Sequence, residues 1–201
     1  LSVLWASLSW LAVWTPGPLP VIAAAIFDIC RYGMWYAFLL TLLSMPADGN
    51  ASKTAVAPWL PNLCWLLVGS GIVLQLGLLT AWVKPEEWQS GLVFLGLAEA
   101  VLGLILVEQL FRTVSEDSRW NIKPLCLALL FQFGFDLYLF ADALMFNHVD
   151  GDALAVRGFV HAATVPLLML STERSKDWTS KIRISQKAAF HSVTLFASGI
   201  Y

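Results

Sequence analysis

Charge is what this sequence lacks. Its 201 residues carry 12 Lys or Arg and 14 Asp or Glu, 13% in all, where soluble domains carry about 25%. Hydrophobic residues make up 58% and Trp alone numbers 10. That apolar content excludes a disordered chain, and the absence of a large basic patch excludes nucleic-acid binding. Cysteine is scarce too: Cys30, Cys64 and Cys126 lie inside apolar runs without CxxC or Cys/His spacing, so they read as small buried hydrophobes.

Several reaction chemistries lack their residues. No HExxH occurs, so a zinc-protease centre has neither ligands nor base, and no glycine-rich loop ending in Lys is present to cradle a nucleotide phosphate. Gly69-Ser70-Gly71 falls short of a serine-nucleophile turn and reads as a helix-packing patch. Every lysine falls in a loop or near an interface, which removes a buried Schiff base to a retinal-type chromophore. His191, in Phe190-His191-Ser192-Val193, lacks the charged residue and proline expected around a phosphoacceptor histidine. Neither a metal, a cofactor nor a catalytic residue is expected within these residues.

What is present is a series of long uncharged runs. Seven apolar segments, about 1–14, 19–45, 59–83, 88–112, 120–146, 153–170 and 188–201, alternate with polar or proline-containing breaks. The complete ones suit membrane-spanning helices, which need about 20 residues, rather than barrel strands of about 10. The expected fold is therefore all-α: a polytopic transmembrane helix bundle in one sensor-like domain. The first segment is short for a span, and the last is still apolar where the sequence stops. Both are expected to be truncated helices of a longer protein.

Orientation follows from the basic residues. Lys53, Arg112, Arg119, Lys123, Arg174, Lys176, Lys181, Arg183 and Lys187 fall on one side, and Lys84 alone on the other. Loops 47–58, 112–119 and 171–187 are accordingly expected in the cytoplasm. Trp59, Trp120 and Trp178 would mark the inner interface, and Trp14, Trp82 and Trp88 the outer one.

Seven ionisable residues besides histidine remain inside the runs: Asp28, Arg31, Glu99, Glu108, Asp136, Asp142 and Arg157. Each costs roughly 2.5–3.5 kcal/mol if it faces lipid, so they are expected to point inward and pair. Asp28 and Arg31 stand three apart on one face, with Glu99 at a similar depth, and Glu108 and Arg112 stand four apart near the inner interface. Asp142 and Arg157 lie equally far from the break between their helices and are expected to pair. Asp136, Tyr138, Asp142, Arg157 and His161 would then form an outer-half polar cluster, serving either as a ligand- or proton-sensing site or as packing glue.

The later segments also resemble a known family. Glu108-Gln109-Leu110-Phe111-Arg112 and Arg119-Trp120-Asn121-Ile122-Lys123 precede Asp136-Leu137-Tyr138-Leu139-Phe140-Ala141-Asp142-Ala143-Leu144-Met145-Phe146, and Ala155-Val156-Arg157-Gly158 and Phe190-His191-Ser192 follow. Their order and spacing resemble the membrane region of PrsK-type sensor histidine kinases of the PEP-CTERM/exosortase system. The likeness covers most of residues 19–201 and is best from residue 99 onward. Val156 interrupts the Ala-Arg-Gly run of the pattern, and His161 stands in place of a smaller polar residue.

The resemblance implies a bacterial inner-membrane input region that passes a stimulus to a cytoplasmic kinase core beyond Tyr201. That core would use ATP and Mg, phosphorylate a cognate response regulator and work as a homodimer. The family's phosphoacceptor and ATP-binding residues have no counterpart in this stretch. A small transporter or channel built on Asp28, Arg31 and Glu99 is the rival expectation.

Overall fold

Long apolar runs have one economical solution in lipid: helices that satisfy every backbone N–H and C=O internally. A computed structural model describes residues 2–14, 18–44, 57–79, 85–114 and 116–174. Among them stand six helices: α1 (Ser2–Trp14), α2 (Pro18–Ser44), α3 (Trp59–Leu79), α4 (Pro85–Thr113), α5 (Glu116–Phe146) and α6 (Gly151–Arg174). Five contain a stretch long and apolar enough to cross a membrane: Leu19–Ser44, Trp59–Gly77, Ser90–Thr113, Arg119–Phe146 and Gly151–Glu173. The protein is a polytopic helical bundle. The seventh expected segment, 188–201, lies outside the described residues.

Several helix ends differ from the sequence reading. α4 starts at Pro85 rather than Trp88, because proline at the first helical position gives up only an N–H that would have no partner there. α5 starts at Glu116, so Pro124 sits in its interior rather than near its start. The expected 112–119 loop thus shrinks to a short link, with α4 reaching Thr113. α6 runs past Leu170 to Arg174 and carries Pro166 inside it, so the expected polar linker begins as helix.

The α5–α6 turn is written locally. Asn147 adopts φ 54°, a left-handed conformation that asparagine tolerates. Asp150 then caps α6: its Oδ1 accepts the Asp152 N–H at 2.9 Å, and its carbonyl accepts the Leu154 N–H at 3.0 Å.

α2 packs against α1, α3 and α4, while α5 packs against α4 and α6. The core takes residues at three- and four-residue spacing: Tyr32, Tyr36, Leu39 and Leu43 from α2, Leu102, Leu106 and Leu110 from α4, and Leu125, Leu129 and Phe133 from α5. Trp65, Phe94, Phe131 and Phe159 are more than half exposed, as suits side chains that face hydrocarbon. Small residues let the helices close up. A Cβ on Gly103 would come within 2.9 Å of the Phe133 ring, one on Gly96 within 2.7 Å of Phe140, and one on Gly71 within 2.9 Å of Leu95. The Gly33 and Gly96 faces are therefore used inside this chain, against α3 and α5.

Phe133 is fully buried and cannot swing away, whereas a Cβ on Gly134 would meet nothing within 4 Å. Gly103→Ala is expected to cost about 1–3 kcal/mol through overpacking. Gly134→Ala should be neutral or slightly stabilising. Thermal unfolding of the two variants side by side in one detergent checks this.

Candidate functional site

The helices converge on a set of charges in the half of the bundle near the α5–α6 turn. Asp28 lies ten residues into α2, Asp136 ten residues before the end of α5, and His161 ten residues into α6, each about 15 Å along its axis. Arg157 lies six residues into α6, about 9 Å, and its long side chain covers the difference. The three helices thus deliver their polar residues to one depth.

There, two carboxylates and two guanidiniums close a ring. Arg31 donates to Asp28 Oδ1 from Nε at 3.0 Å and from Nη2 at 2.7 Å. Its Nη2 also lies 3.3 Å from Asp136 Oδ2. Arg157 donates from Nε to Asp136 Oδ1 at 2.6 Å and from Nη1 to Asp28 Oδ2 at 2.7 Å. Asp136 is 0% exposed, Arg31 1% and Arg157 3%. Two negative and two positive charges cancel, which is the condition under which ions persist in so dry a place.

Neutral groups complete the shell. The Tyr32 hydroxyl donates to Asp136 Oδ2. His161 Nδ1 lies 2.9 Å from Arg31 Nη1, and because arginine can only donate, Nδ1 must accept. The proton of the neutral ring then sits on Nε2, which faces Asp136 Oδ1 at 3.5 Å. Trp5 of α1 covers the assembly: its ring centroid is 5.1 Å from Arg31 Cζ, 5.2 Å from Arg157 Cζ and 5.2 Å from the His161 ring. Tyr32 and Phe140 offer further ring faces to Arg31 and Arg157.

Beside the ring, Glu99 is 2% exposed, and its Oε1 has no hydrogen-bond partner among the described residues. Arg157 Nη2 likewise has no partner among the described residues. Both residues line a cavity of about 430 Å³ that Asp28 and Gln75 also face, and that extends to Val149 at the α5–α6 turn.

Against this geometry the sequence expectations divide. Asp28 and Arg31 pair as expected, and so do Glu108 and Arg112, at 2.6 Å on an exposed face. Asp136, Arg157 and His161 do meet. Asp142 and Arg157 do not pair, because Arg157 turns to Asp136 and Asp28 instead. Equal distance from a turn fixes depth but not facing: Asp142 is six residues from Asp136, about 240° around the helix. Tyr138 is about 200° from Asp136 and is 58% exposed, on the far side of α5. Both leave the cluster. Asp28 and Arg31 join it from α2, and Tyr32 and Trp5 belong to it although the sequence reading did not select them. Tyr32 follows directly on Arg31, and Trp5 lies in the short first helix. Those positions were the only signals available.

No protein-family model, curated protein or solved structure matches this chain. Among the described residues no group of His, Cys, Asp and Glu is arranged to hold a metal ion.

Removing one member of a buried ion set strands its partners, at about 3–5 kcal/mol. Arg157→Met is expected to destabilise by that order, and Asp136→Asn/Arg157→Met by clearly less than the sum of the single changes. Asp142→Asn should stay within about 0.5 kcal/mol. A double-mutant cycle read by thermal unfolding in lipid nanodiscs distinguishes this pairing from an Asp142–Arg157 pair.

Proposed function

We propose that this chain is the membrane input region of a two-component sensor histidine kinase in a bacterial inner membrane. It would regulate exopolysaccharide and PEP-CTERM protein-sorting genes through a cytoplasmic kinase core. The observation that carries the reading is the neutral ring of Asp28, Arg31, Asp136 and Arg157, which ties α2, α5 and α6 together. The kinase core, ATP, Mg, the homodimer and the response regulator come from the resemblance to PrsK-type kinases alone.

A signal domain needs two helix arrangements and a stimulus with different affinity for each. The ring supports one arrangement. Among the described residues α6 packs along its length on α5, meets Trp5 of α1, and reaches α2 through the guanidinium of Arg157 and the ring of His161. A stimulus that competes for Arg157 would loosen α6 from α2 while leaving its seat on α5. The shift would travel along α6 to Arg174 and the basic stretch after it, which the basic-residue asymmetry assigns to the cytoplasm.

A second reading, a small transporter or channel, draws support from the cavity that borders Asp28 and Glu99. The lack of an internal repeat in the sequence, and of paired broken helices among the described residues, weighs against it.

The test uses the full-length protein in proteoliposomes with labelled ATP and Mg. Acid-labile phosphate should appear on the protein, and Arg157→Gln should change its rate by about threefold or more in either direction. No phosphate incorporation, with solute uptake by the same vesicles, would overturn the reading in favour of transport.

A further inference from the structure

The ring accounts for its own charges; Glu99 remains. Three carboxylates, Asp28, Asp136 and Glu99, stand against two guanidiniums, Arg31 and Arg157, so the site holds one acid in excess. Glu99 and Arg157 both line the 430 Å³ cavity, and each carries one enclosed polar atom, Glu99 Oε1 and Arg157 Nη2, with no hydrogen-bond partner among the described residues. Buried polar atoms ordinarily have partners, and two orphans of opposite type on residues that line one cavity point to a ligand that would supply them once those side chains turn toward it. Asp28 and Gln75 also line it, and the rest of the wall is mostly apolar, with Leu92, Leu95, Leu139 and Leu154 among its residues. The volume falls in the range of small-molecule sites.

We propose that this cavity binds a small organic ammonium ion with an apolar body and a hydroxyl or carbonyl oxygen close to the nitrogen. The ammonium donates to Glu99 Oε1, and its charge lets that buried carboxyl ionise. The neighbouring oxygen accepts from Arg157 Nη2, and the apolar body lies against the leucines. An anionic ligand would add to the excess of acid, and a purely apolar one would leave both orphans buried and unsatisfied. The cavity extends to Val149 at the α5–α6 turn, so the ligand would enter from that end of the bundle. The inference goes beyond the kinase reading, since a binding site of this chemistry serves a sensor or a transporter equally.

Three matched probes test it by calorimetry on the full chain in nanodiscs. 2-Amino-1-phenylethanol carries both groups, 2-phenylethylamine lacks the hydroxyl, and 1-phenylpropan-1-ol replaces the ammonium by methyl. The amino alcohol should bind about tenfold or more tighter than the neutral alcohol, the size of one charge-assisted hydrogen bond, and several-fold tighter than the amine. Glu99→Gln should reduce the preference for the ammonium to below about threefold. Ala25→Phe, which fills the cavity from α2 and keeps every charge, should abolish binding of all three, so the test survives a Glu99 variant that fails to fold. Equal binding of the neutral alcohol, unchanged binding to either variant, or no binding at millimolar concentration would overturn the proposal. Because binding is read directly, each of these outcomes is separate from success or failure of ATP-dependent phosphorylation.

Discussion

Charge neutrality in a dry bundle is the constraint on which the rest of this structure depends. Two aspartates and two arginines cannot each be buried alone, because an ion stranded in low dielectric costs several kcal/mol. Together they cancel, and Asp136 shows how completely: Oδ1 receives Arg157 and faces His161, while Oδ2 receives Tyr32 and Arg31. The helices must then stand at fixed depths, since a slip of one turn, about 5.4 Å, would part the pairs. α1 contributes by laying Trp5 over both guanidiniums, where a cation gains from the ring face.

Packing elsewhere is arranged to let this happen. α4 and α5 approach closely where Gly103 meets Phe133 and Gly96 meets Phe140, which gives α5 a firm seat from which Asp136 reaches the ring. α6 is held differently. Its own face toward the bundle is narrow, with Arg157, His161, Thr164 and Ser171 as its buried residues, and its outer face is apolar and exposed. A helix held by polar contacts can be released by chemistry that competes for them. A helix held by a wide apolar stripe cannot. This asymmetry leaves the ring as the main polar tie between α6 and α2.

Much of the fold was legible because lipid leaves few choices. Runs such as 19–45 and 120–146 could only be helices, and α2 and α5 lie within a few residues of those bounds. Pairs within one helix were legible as well: Asp28 with Arg31, Glu108 with Arg112, and Arg157 and His161 on one face follow from helical spacing. Pairs between helices were not. Counting from the turn matched Asp142 to Arg157 in depth, but rotation around α5 decides which carboxylate faces inward. That rotation is set by the buried stripe of Leu129, Phe133 and Asp136. The role of Trp5 depends on how α1 docks, which no local pattern records. Ends of helices were misjudged where charged residues such as Glu116 and Asp117 continue a helix beyond its apolar part.

The central claim is that Arg157 is bonded to Asp136 and not to Asp142. Solid-state NMR on the protein in lipid bilayers, with arginine labelled in ¹⁵N and aspartate in ¹³C, reads this directly through dipolar dephasing, and Asp136→Asn and Asp142→Asn samples assign the signal. The account predicts an Arg157 Nε to Asp136 Cγ separation under about 4 Å, as an Nε–H···Oδ1 bond of 2.6 Å requires. A dephasing signal that survives Asp136→Asn and vanishes with Asp142→Asn would contradict it.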